Sequence, residues 1–218
     1  MRLGIKPAAF LGRLVVLFFL TYALWAPVEP AYTRVLTALS RGFLHLTEAF
    51  TSDAASRNVT EMRVRETEDG RAAIYFQHRR HPQVESGIPA EWVQANLVLL
   101  IPLMLATPAA SYRQRFGRLG LALAIAVCLQ VLDVTVTVKA LYARSIPGYG
   151  DVARRLYQFG DAFTQGMDTQ LFPFAIWAGI HLRQLLGRDV AASPAKSARP
   201  PRGAPGRPSA GGKTRAKS

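Results

Sequence analysis

Four long apolar segments alternate with polar stretches along the chain, at residues 8–26, 93–110, 119–142 and 171–186. A helix that crosses a bilayer core of about 30 Å needs roughly 20 mostly apolar residues. Within lipid, each backbone N–H and C=O must find a partner inside the chain, which favours helices for all four segments. The pattern therefore predicts an all-α integral membrane protein with four transmembrane helices. The fourth segment has the shortest apolar run, and a buried or interfacial helix is the alternative there.

Two polar regions that follow the first segment have patterns of their own. Between residues 30 and 50, apolar side chains recur every three or four positions, which predicts an amphipathic helix on the outer leaflet or packed on the spans. Apolar and polar positions then alternate on either side of Asp69-Gly70, which predicts a small β-hairpin outside the membrane. A lone hairpin is marginally stable, so it should rest on this helix or on a partner.

The last part of the chain has almost no large apolar side chain. Residues 191–218 are rich in Pro, Gly, Ala, Ser and basic residues, which predicts a disordered basic C-terminal tail. The chain then divides into a first transmembrane helix (1–27), an extracytoplasmic segment with the amphipathic helix and the β-hairpin (28–92), a three-helix membrane region (93–190) and the tail (191–218).

Charge gives the predicted spans an orientation. The chain has 27 Lys and Arg against 14 Asp and Glu. With the N-terminus inside, the inner stretches hold fifteen basic residues and one acid, Asp189, whereas the outer stretches hold twelve residues of each sign. Cytoplasmic loops of membrane proteins carry the excess of Lys and Arg. Both termini are therefore expected in the cytoplasm.

The N-terminal segment also resembles a secretory signal peptide. A cut after Ala26 would leave Pro27 directly behind it, which is unfavourable for cleavage. A retained membrane anchor is therefore expected, with a cleaved signal as the alternative.

Few residues offer chemistry of their own. Cys128 is the only cysteine, so no intrachain disulfide can form, and a thiol buried in apolar surroundings is inert. His78 and His81 could suit a metal, but no Cys or carboxylate cluster accompanies them, which favours a solvated turn. The sequence thus indicates no cofactor, no metal site and no catalytic set.

Asp133 is the sharpest signal, because an ionisable residue within a span is costly and usually faces a partner or a water-filled cavity. Gln130 and Thr137 share its helix face. Asn96 and Asp168 lie at the outer ends of neighbouring segments, so a polar intramembrane cluster of these five residues is predicted. It could serve protons or a substrate, but interhelical hydrogen bonds that fix packing are the favoured interpretation.

The stretch GRLVVLFFLTYALWAPVEPAYTRVLTALSRGFLHLTEAF resembles the first span and the following helix of small bacterial proteins of the exosortase system, in particular the exosortase H-associated membrane proteins. The likeness rests on the aromatic residues before LWAP and on PAYTRVL, less than a quarter of the chain. Exosortases themselves resemble membrane transpeptidases with a catalytic Cys, Arg and His. Because Cys128 lies in AVCLQV, which departs from their cysteine motif, and the spans are too few, no catalytic role carries over.

The resemblance implies a non-catalytic, multi-pass accessory protein of protein sorting or envelope export in a bacterial inner membrane. Its expected partners are membrane lipids and another membrane protein of exosortase type, and no specific nucleic acid is expected. The alternative is an intramembrane hydrolase or transferase, or a small proton-coupled transport subunit, that uses Asp133. A transporter would be expected to show repeat symmetry, which the sequence lacks.

Overall fold

A computed structural model gives the fold and describes residues 7–49, 59–67, 71–108, 111–147, 149–167 and 171–191. These residues form the helices α1 (Pro7–Ala49), α2 (Ala90–Ala106), α3 (Tyr112–Ser145), α4 (Asp151–Met167) and α5 (Leu171–Ala191). They also form the strands β1 (Thr60–Glu66), β2 (Ala72–His78) and β3 (His81–Pro89). The predicted tail, from residue 192 onward, lies outside the described residues.

The prediction of four transmembrane helices in an all-α protein is wrong. Among the described residues, two helices, Ala8–Ala49 and Tyr112–Ser145, are long and apolar enough to cross a membrane. α2 has 17 residues, or about 25 Å at a rise of about 1.5 Å per residue, which is short for a bilayer core. The described apolar part of α5, Leu171–Leu182, is shorter still. The described residues also include an antiparallel sheet of three strands, in the order β1-β2-β3.

α1 joins what the sequence divided into a span and a separate amphipathic helix. It runs for 43 residues and continues through Pro27 and Pro30. None of its most apolar 18-residue window is buried, whereas Leu36, Leu44 and Glu48 in its second half are buried. The first half of α1 therefore presents an apolar surface, and the second half belongs to the core.

α2 runs antiparallel to α1 and α3. Val93, near its start, belongs to the core cluster that includes Leu44 of α1 and Tyr142 of α3. Leu100, further along α2, packs instead with Ala122 in the first half of α3. The N-terminal ends of α1 and α3 therefore lie together at the end of the molecule remote from the sheet.

α4 and α5 lead the chain back along α3. Arg154 near the start of α4 donates a hydrogen bond from Nε to the Ala143 carbonyl, and Thr137 donates to Asp161 further along α4. Trp177 of α5 then donates from Nε1 to Thr107 Oγ1, just beyond the end of α2, at 2.8 Å. α5 thus leads toward the end of the molecule that holds the N-terminal ends of α1 and α3.

The sheet packs on the second halves of α1 and α3. β1 and β2 pair antiparallel with Met62 opposite Phe76, and both side chains are buried in the core cluster with Leu44. Residues 68–70, the predicted turn, lie outside the described residues. The sequence missed β3, whose single buried side chain, Val84, gives little alternation to detect.

Glu48 ties the sheet to the helices. Its carboxylate is 1% exposed and accepts hydrogen bonds from the Val59 backbone N–H at 3.2 Å and the Thr60 hydroxyl at 2.8 Å. The Lys139 ammonium of α3 lies 3.7 Å from Oε1, and His45 Nδ1 lies 3.7 Å from Oε2. A buried charge is stable only when it is paired and hydrogen-bonded. Glu48 therefore joins α1, α3 and the start of β1.

The β2–β3 turn depends on a buried histidine. His78 Nδ1 accepts hydrogen bonds from the backbone N–H groups of Arg80 at 3.3 Å and His81 at 3.2 Å. Its ring packs edge-to-face on Tyr142, with centroids 5.0 Å apart. Accepting at Nδ1 requires the neutral ring, and burial, with the nearby His81, lowers the pKa of His78. The expectation of a solvated turn is therefore wrong for His78.

We expect Glu48→Gln to destabilise the protein by about 3 kcal/mol, because it leaves the Lys139 charge buried without its counter-charge. Unfolding of the purified full chain in detergent measures this loss. Glu61→Gln is the matched control, since its pair with Arg79 is exposed on both sides and should cost less than about 1 kcal/mol. Equal losses in the two variants would contradict the structural role of Glu48.

We also expect stability to fall as the pH is lowered from about 7.5 to about 5.5. The folded protein keeps His78 neutral, whereas the unfolded chain, with the ordinary pKa of 6.5, takes up a proton in this range. The stabilisation that neutral His78 contributes is therefore complete above the pKa of the unfolded chain and is lost as the pH falls below that value. Thermal unfolding at the two pH values measures the slope. In His78→Asn an amide oxygen replaces the acceptor without titrating, so an unchanged slope in that variant would exclude His78 as its cause.

Candidate functional site

A cavity of about 460 Å³ opens where the sheet meets α2, α3 and α4. Small-molecule and peptide side-chain pockets fall in this size class, roughly 300–1,000 Å³. The lining residues come from both strands and helices and are Phe76, Ser86, Gly87, Ile88, Pro89, Trp92, Val93, Asp133, Thr137, Leu141, Arg144 and Asp161. The cavity is thus mainly apolar, with four polar or charged groups on α3 and α4.

Asp161 of α4 is the most firmly held of these groups. Thr137 Oγ1 donates to its Oδ1 at 3.0 Å, and Arg144 donates from Nη2 to its Oδ2 at 3.2 Å. The two helices approach closely beside it, because a Cβ on Gly160 would lie 3.0 Å from Val136 Cγ1. The Asp161 carboxylate is therefore neutralised and fixed against α3.

Asp133 differs from Asp161 because one of its carboxylate oxygens has no hydrogen-bond partner among the described residues. Its side chain is 8% exposed and faces α4, where the Thr164 hydroxyl donates to the Asp161 carbonyl at 3.2 Å. Its Oδ1, however, has no hydrogen-bond partner within the described part of the chain. A buried acceptor without a partner costs free energy. Asp133 therefore brings to the cavity wall a carboxylate with one unsatisfied oxygen, and a cationic or hydrogen-bond-donating ligand group would complement it.

The structure brings together only part of the predicted polar cluster. Asp133 and Thr137 both line the cavity. Gln130 instead donates from Nε2 to the Val93 carbonyl at 2.7 Å and accepts a hydrogen bond from Tyr32. Asn96 is buried in α2 and is not part of the cavity lining, and Asp168 lies outside the described residues.

Gln130 belongs to a second polar set, buried between α1, α2 and α3. Gln94 Nε2 donates to Thr33 Oγ1 at 2.6 Å, and Trp25 Nε1 donates to Gln94 Oε1 at 3.0 Å. Interhelical hydrogen bonds of this kind fix the packing of helices in a membrane. The polar residues of α3 thus divide into Gln130, which holds α1 and α2, and Asp133 with Thr137, which face the cavity.

The sequence interpretation missed Arg144 and Asp161, because α4 was not expected. The amphipathic helix predicted at residues 30–50 falls, as far as Ala49, in the second half of α1 and packs on the core, whereas α4 keeps an exposed apolar face. Four side chains at spacings of three and four form that face: Val152, Leu156, Phe159 and Phe163. This periodicity was the available signal, and it places Asp161 on the opposite, polar side of α4.

The described residues do not assemble a metal site. They contain no group of three or more His, Cys, Asp or Glu side chains that could hold a metal ion. Cys128 is exposed on α3, not buried as the sequence interpretation supposed, and it does not line the cavity. The arrangement is suited to binding a cationic or hydrogen-bond-donating group at Asp133.

Comparisons of this chain with family models, with curated proteins and with solved structures found no match. The function proposed below therefore depends on the cavity and on the distribution of charge and apolar surface.

We expect Asp161→Asn to loosen α4 from α3, because the amide cannot neutralise Arg144 while it accepts from Thr137. The loss should be about 1 kcal/mol, since Arg144 is half exposed and its ion pair is screened by water. Hydrogen exchange of α4 in the full chain measures the effect. Asp151→Asn is the control, because that carboxylate is 88% exposed and its pair with Arg154 spans 3.8 Å. Faster exchange in both variants alike would contradict the role given to Asp161.

Proposed function

We propose that the protein is a non-catalytic accessory protein of a bacterial inner membrane that binds another envelope protein through the cavity beside its sheet. The apolar first half of α1 supports the membrane position, because its exposed side chains include Val16, Phe19 and Leu20. Contiguous apolar surface of this kind is unfavourable in water and is covered at no cost by lipid. α3 is the second helix that is long enough to cross a membrane, and 39% of its apolar window is buried.

The charges support one orientation. Arg13 of α1 and Arg115 of α3 line the same groove with Leu105 of α2, so the basic N-terminal ends of both helices meet remote from the sheet. The positive-inside rule assigns this end to the cytoplasm. We therefore place the N-terminus inside and the sheet with its cavity outside. α5 leads toward the basic end, so the C-terminus is placed in the cytoplasm as well.

The contacts of Trp25 favour a retained anchor. Its Nε1 hydrogen-bonds to Gln94, and its ring lies 5.5 Å from the ring of Tyr32. Cleavage after Ala26 would remove this tryptophan from the polar set that holds α1 to α2. The N-terminal segment accordingly stays part of the protein in this proposal.

The cavity supports binding more than catalysis. Acyl or glycosyl transfer needs a nucleophile that is activated by a positioned base. The described cavity lining contains no His, Cys or Lys, and the Thr137 hydroxyl is engaged by a carboxylate that Arg144 already neutralises. The single observation that carries the proposal is Asp133, a carboxylate that lines a mostly apolar cavity and whose Oδ1 has no hydrogen-bond partner among the described residues.

The sheet supplies a docking edge beside that acceptor. β3 is an outer strand of the three, and its Ser86, Gly87 and Ile88 line the cavity. An edge strand offers backbone N–H and C=O groups to an extended peptide, and neighbouring pockets then select its side chains. A partner segment with a Lys or Arg side chain at Asp133 fits this combination. The resemblance of the N-terminal region makes a membrane protein of the exosortase type, or a protein that such a system sorts, our proposed partner.

A proton-coupled or hydrolytic role at Asp133 is the second candidate. The same unsatisfied oxygen favours it, because intramembrane carboxylates commonly mark proton or substrate pathways. The two candidates differ in what Asp133→Asn does, since the amide preserves the shape and removes the charge.

The orientation can be measured with reporter fusions in the full-length gene. A fusion after Gly70 should report the extracytoplasmic side, and a fusion after Arg115 should report the cytoplasm. The reverse pair of signals would overturn the orientation. Cytoplasmic signals at both positions would show that α1 does not cross the membrane.

The binding role can be tested with a photo-crosslinking amino acid at Trp92, which is 64% exposed and lines the cavity. Tyr112, exposed at the other end of the molecule, is the matched control position. In native membranes, a specific envelope protein should crosslink at position 92 and not at position 112. Asp133→Asn should abolish that crosslink at normal protein abundance. If the crosslink persists in Asp133→Asn while the biological function is lost, the second candidate is correct and the binding role of Asp133 is wrong.

A further inference from the structure

The end of the molecule remote from the sheet holds a groove of about 640 Å³ between the N-terminal parts of α1 and α3. Its lining residues are Gly12, Arg13, Val16, Leu17, Leu105 and Arg115. We propose that this groove binds the head-group phosphate of an anionic phospholipid in the cytoplasmic leaflet. This proposal rests on the membrane position and orientation proposed above.

Arginine side chains at the groove and next to it have nitrogen atoms that donate no hydrogen bond to a described residue. Arg115 Nε is buried, and it has no hydrogen-bond partner among the residues that the structure describes. Nη1 of Arg118, which lies one turn further along α3 and outside the groove lining, is likewise buried without such a partner. Unsatisfied buried donors cost free energy, and the cost is greater for a charged group. A phosphate supplies several acceptors to a guanidinium in a bidentate geometry, so it satisfies donors that no described side chain reaches.

The walls of the groove favour a lipid over a free phosphate ion. Val16 is exposed, and Leu17 and Leu105 are half-buried. Gly12 leaves open space, since a Cβ there would meet nothing within 4 Å. A free phosphate would leave this apolar surface uncovered, whereas the acyl chains of a lipid would lie along α1. Basic pockets between membrane helices on the cytoplasmic side are suited to anionic head groups in this way.

The charge of the lining selects the class of lipid. The described lining residues include Arg13 and Arg115 and no carboxylate. The ammonium of a zwitterionic head group would therefore meet only positive charge, at an energetic cost. A head group whose phosphate is not offset by an amine, as in phosphatidylglycerol, has the complementary net charge.

Native mass spectrometry of the full chain, released from detergent micelles, can measure the affinity for phosphatidylglycerol and for phosphatidylcholine. We expect phosphatidylglycerol to bind about tenfold more tightly, and Arg115→Gln to weaken its binding by about tenfold, as for the loss of one charged hydrogen bond. Arg113→Gln is the matched control, because Arg113 is exposed on the same turn of α3 and lies outside the groove lining. It should change the affinity by less than about twofold.

Equal weakening in Arg113→Gln and Arg115→Gln would overturn the proposal, because the attraction would then come from diffuse charge. Competition by glycerol phosphate at concentrations equal to those of the lipid would overturn it too, since the site would then recognise the free anion. If Arg115→Gln does not fold, Arg13→Gln replaces it, because that side chain is exposed and its loss creates no buried vacancy. The lipid site and the proposed function can fail separately. If phosphatidylglycerol shows no preferential binding while the reporter fusions still give the proposed orientation, only the lipid site is wrong.

Discussion

The arrangement of the sheet on the second half of α1 and the C-terminal part of α3 depends on the buried carboxylate of Glu48. This carboxylate accepts hydrogen bonds at the start of β1, and the Lys139 ammonium of α3 and His45 Nδ1 of α1 each lie 3.7 Å from one of its oxygens. Because a buried charge tolerates no loss of its partners, the end of α1, the start of β1 and the C-terminal part of α3 keep a fixed register. That register places β2 on α3 through Tyr142 and His78, and it brings β3 to the edge at which the cavity forms.

In the proposed orientation, the length of α1 and α3 places the cavity beside the sheet and outside the bilayer core. α1, with 43 residues, is about 65 Å long at about 1.5 Å per residue, roughly twice the thickness of a bilayer core. The excess length carries the sheet, and Asp133 and Asp161 lie where the sheet, α3 and α4 meet. In the proposed orientation this region lies at the depth of water and polar head groups, where carboxylates cost less than at the centre of the bilayer.

Short stretches of the sequence predicted the features that depend on neighbouring residues alone. These features are the apolar runs of α1 and α3, the alternation of β1 and β2, and the cost of an ionisable residue at Asp133. The amphipathic pattern at residues 30–50 was detected with two alternatives for its apolar face, lipid or protein, because periodicity shows that a face is apolar and not what covers it. Leu36 and Leu44 are covered by protein, whereas Leu156 and Phe159 of α4 remain exposed. The ion pairs between Glu48 and Lys139 and between Arg144 and Asp161 join distant or unrecognised elements, and no local pattern indicates them.

Within the described residues, arginine side chains are paired with acids at one end of the molecule and not at the other, and this difference separates the roles of the two ends. At the sheet end, arginines are matched by acids: Arg65 by Glu85, Arg71 by Glu91, Arg79 by Glu61 and Arg144 by Asp161. At the opposite end, Arg115 and Arg118 have buried nitrogens without partners among the described residues. A balanced surface leaves short-range shape and hydrogen bonding to decide what binds, which suits recognition of a protein segment. Unbalanced positive charge next to apolar walls attracts anions of the bilayer and resists translocation, so the arginines of this end support both the proposed orientation and the proposed contact with lipid phosphate.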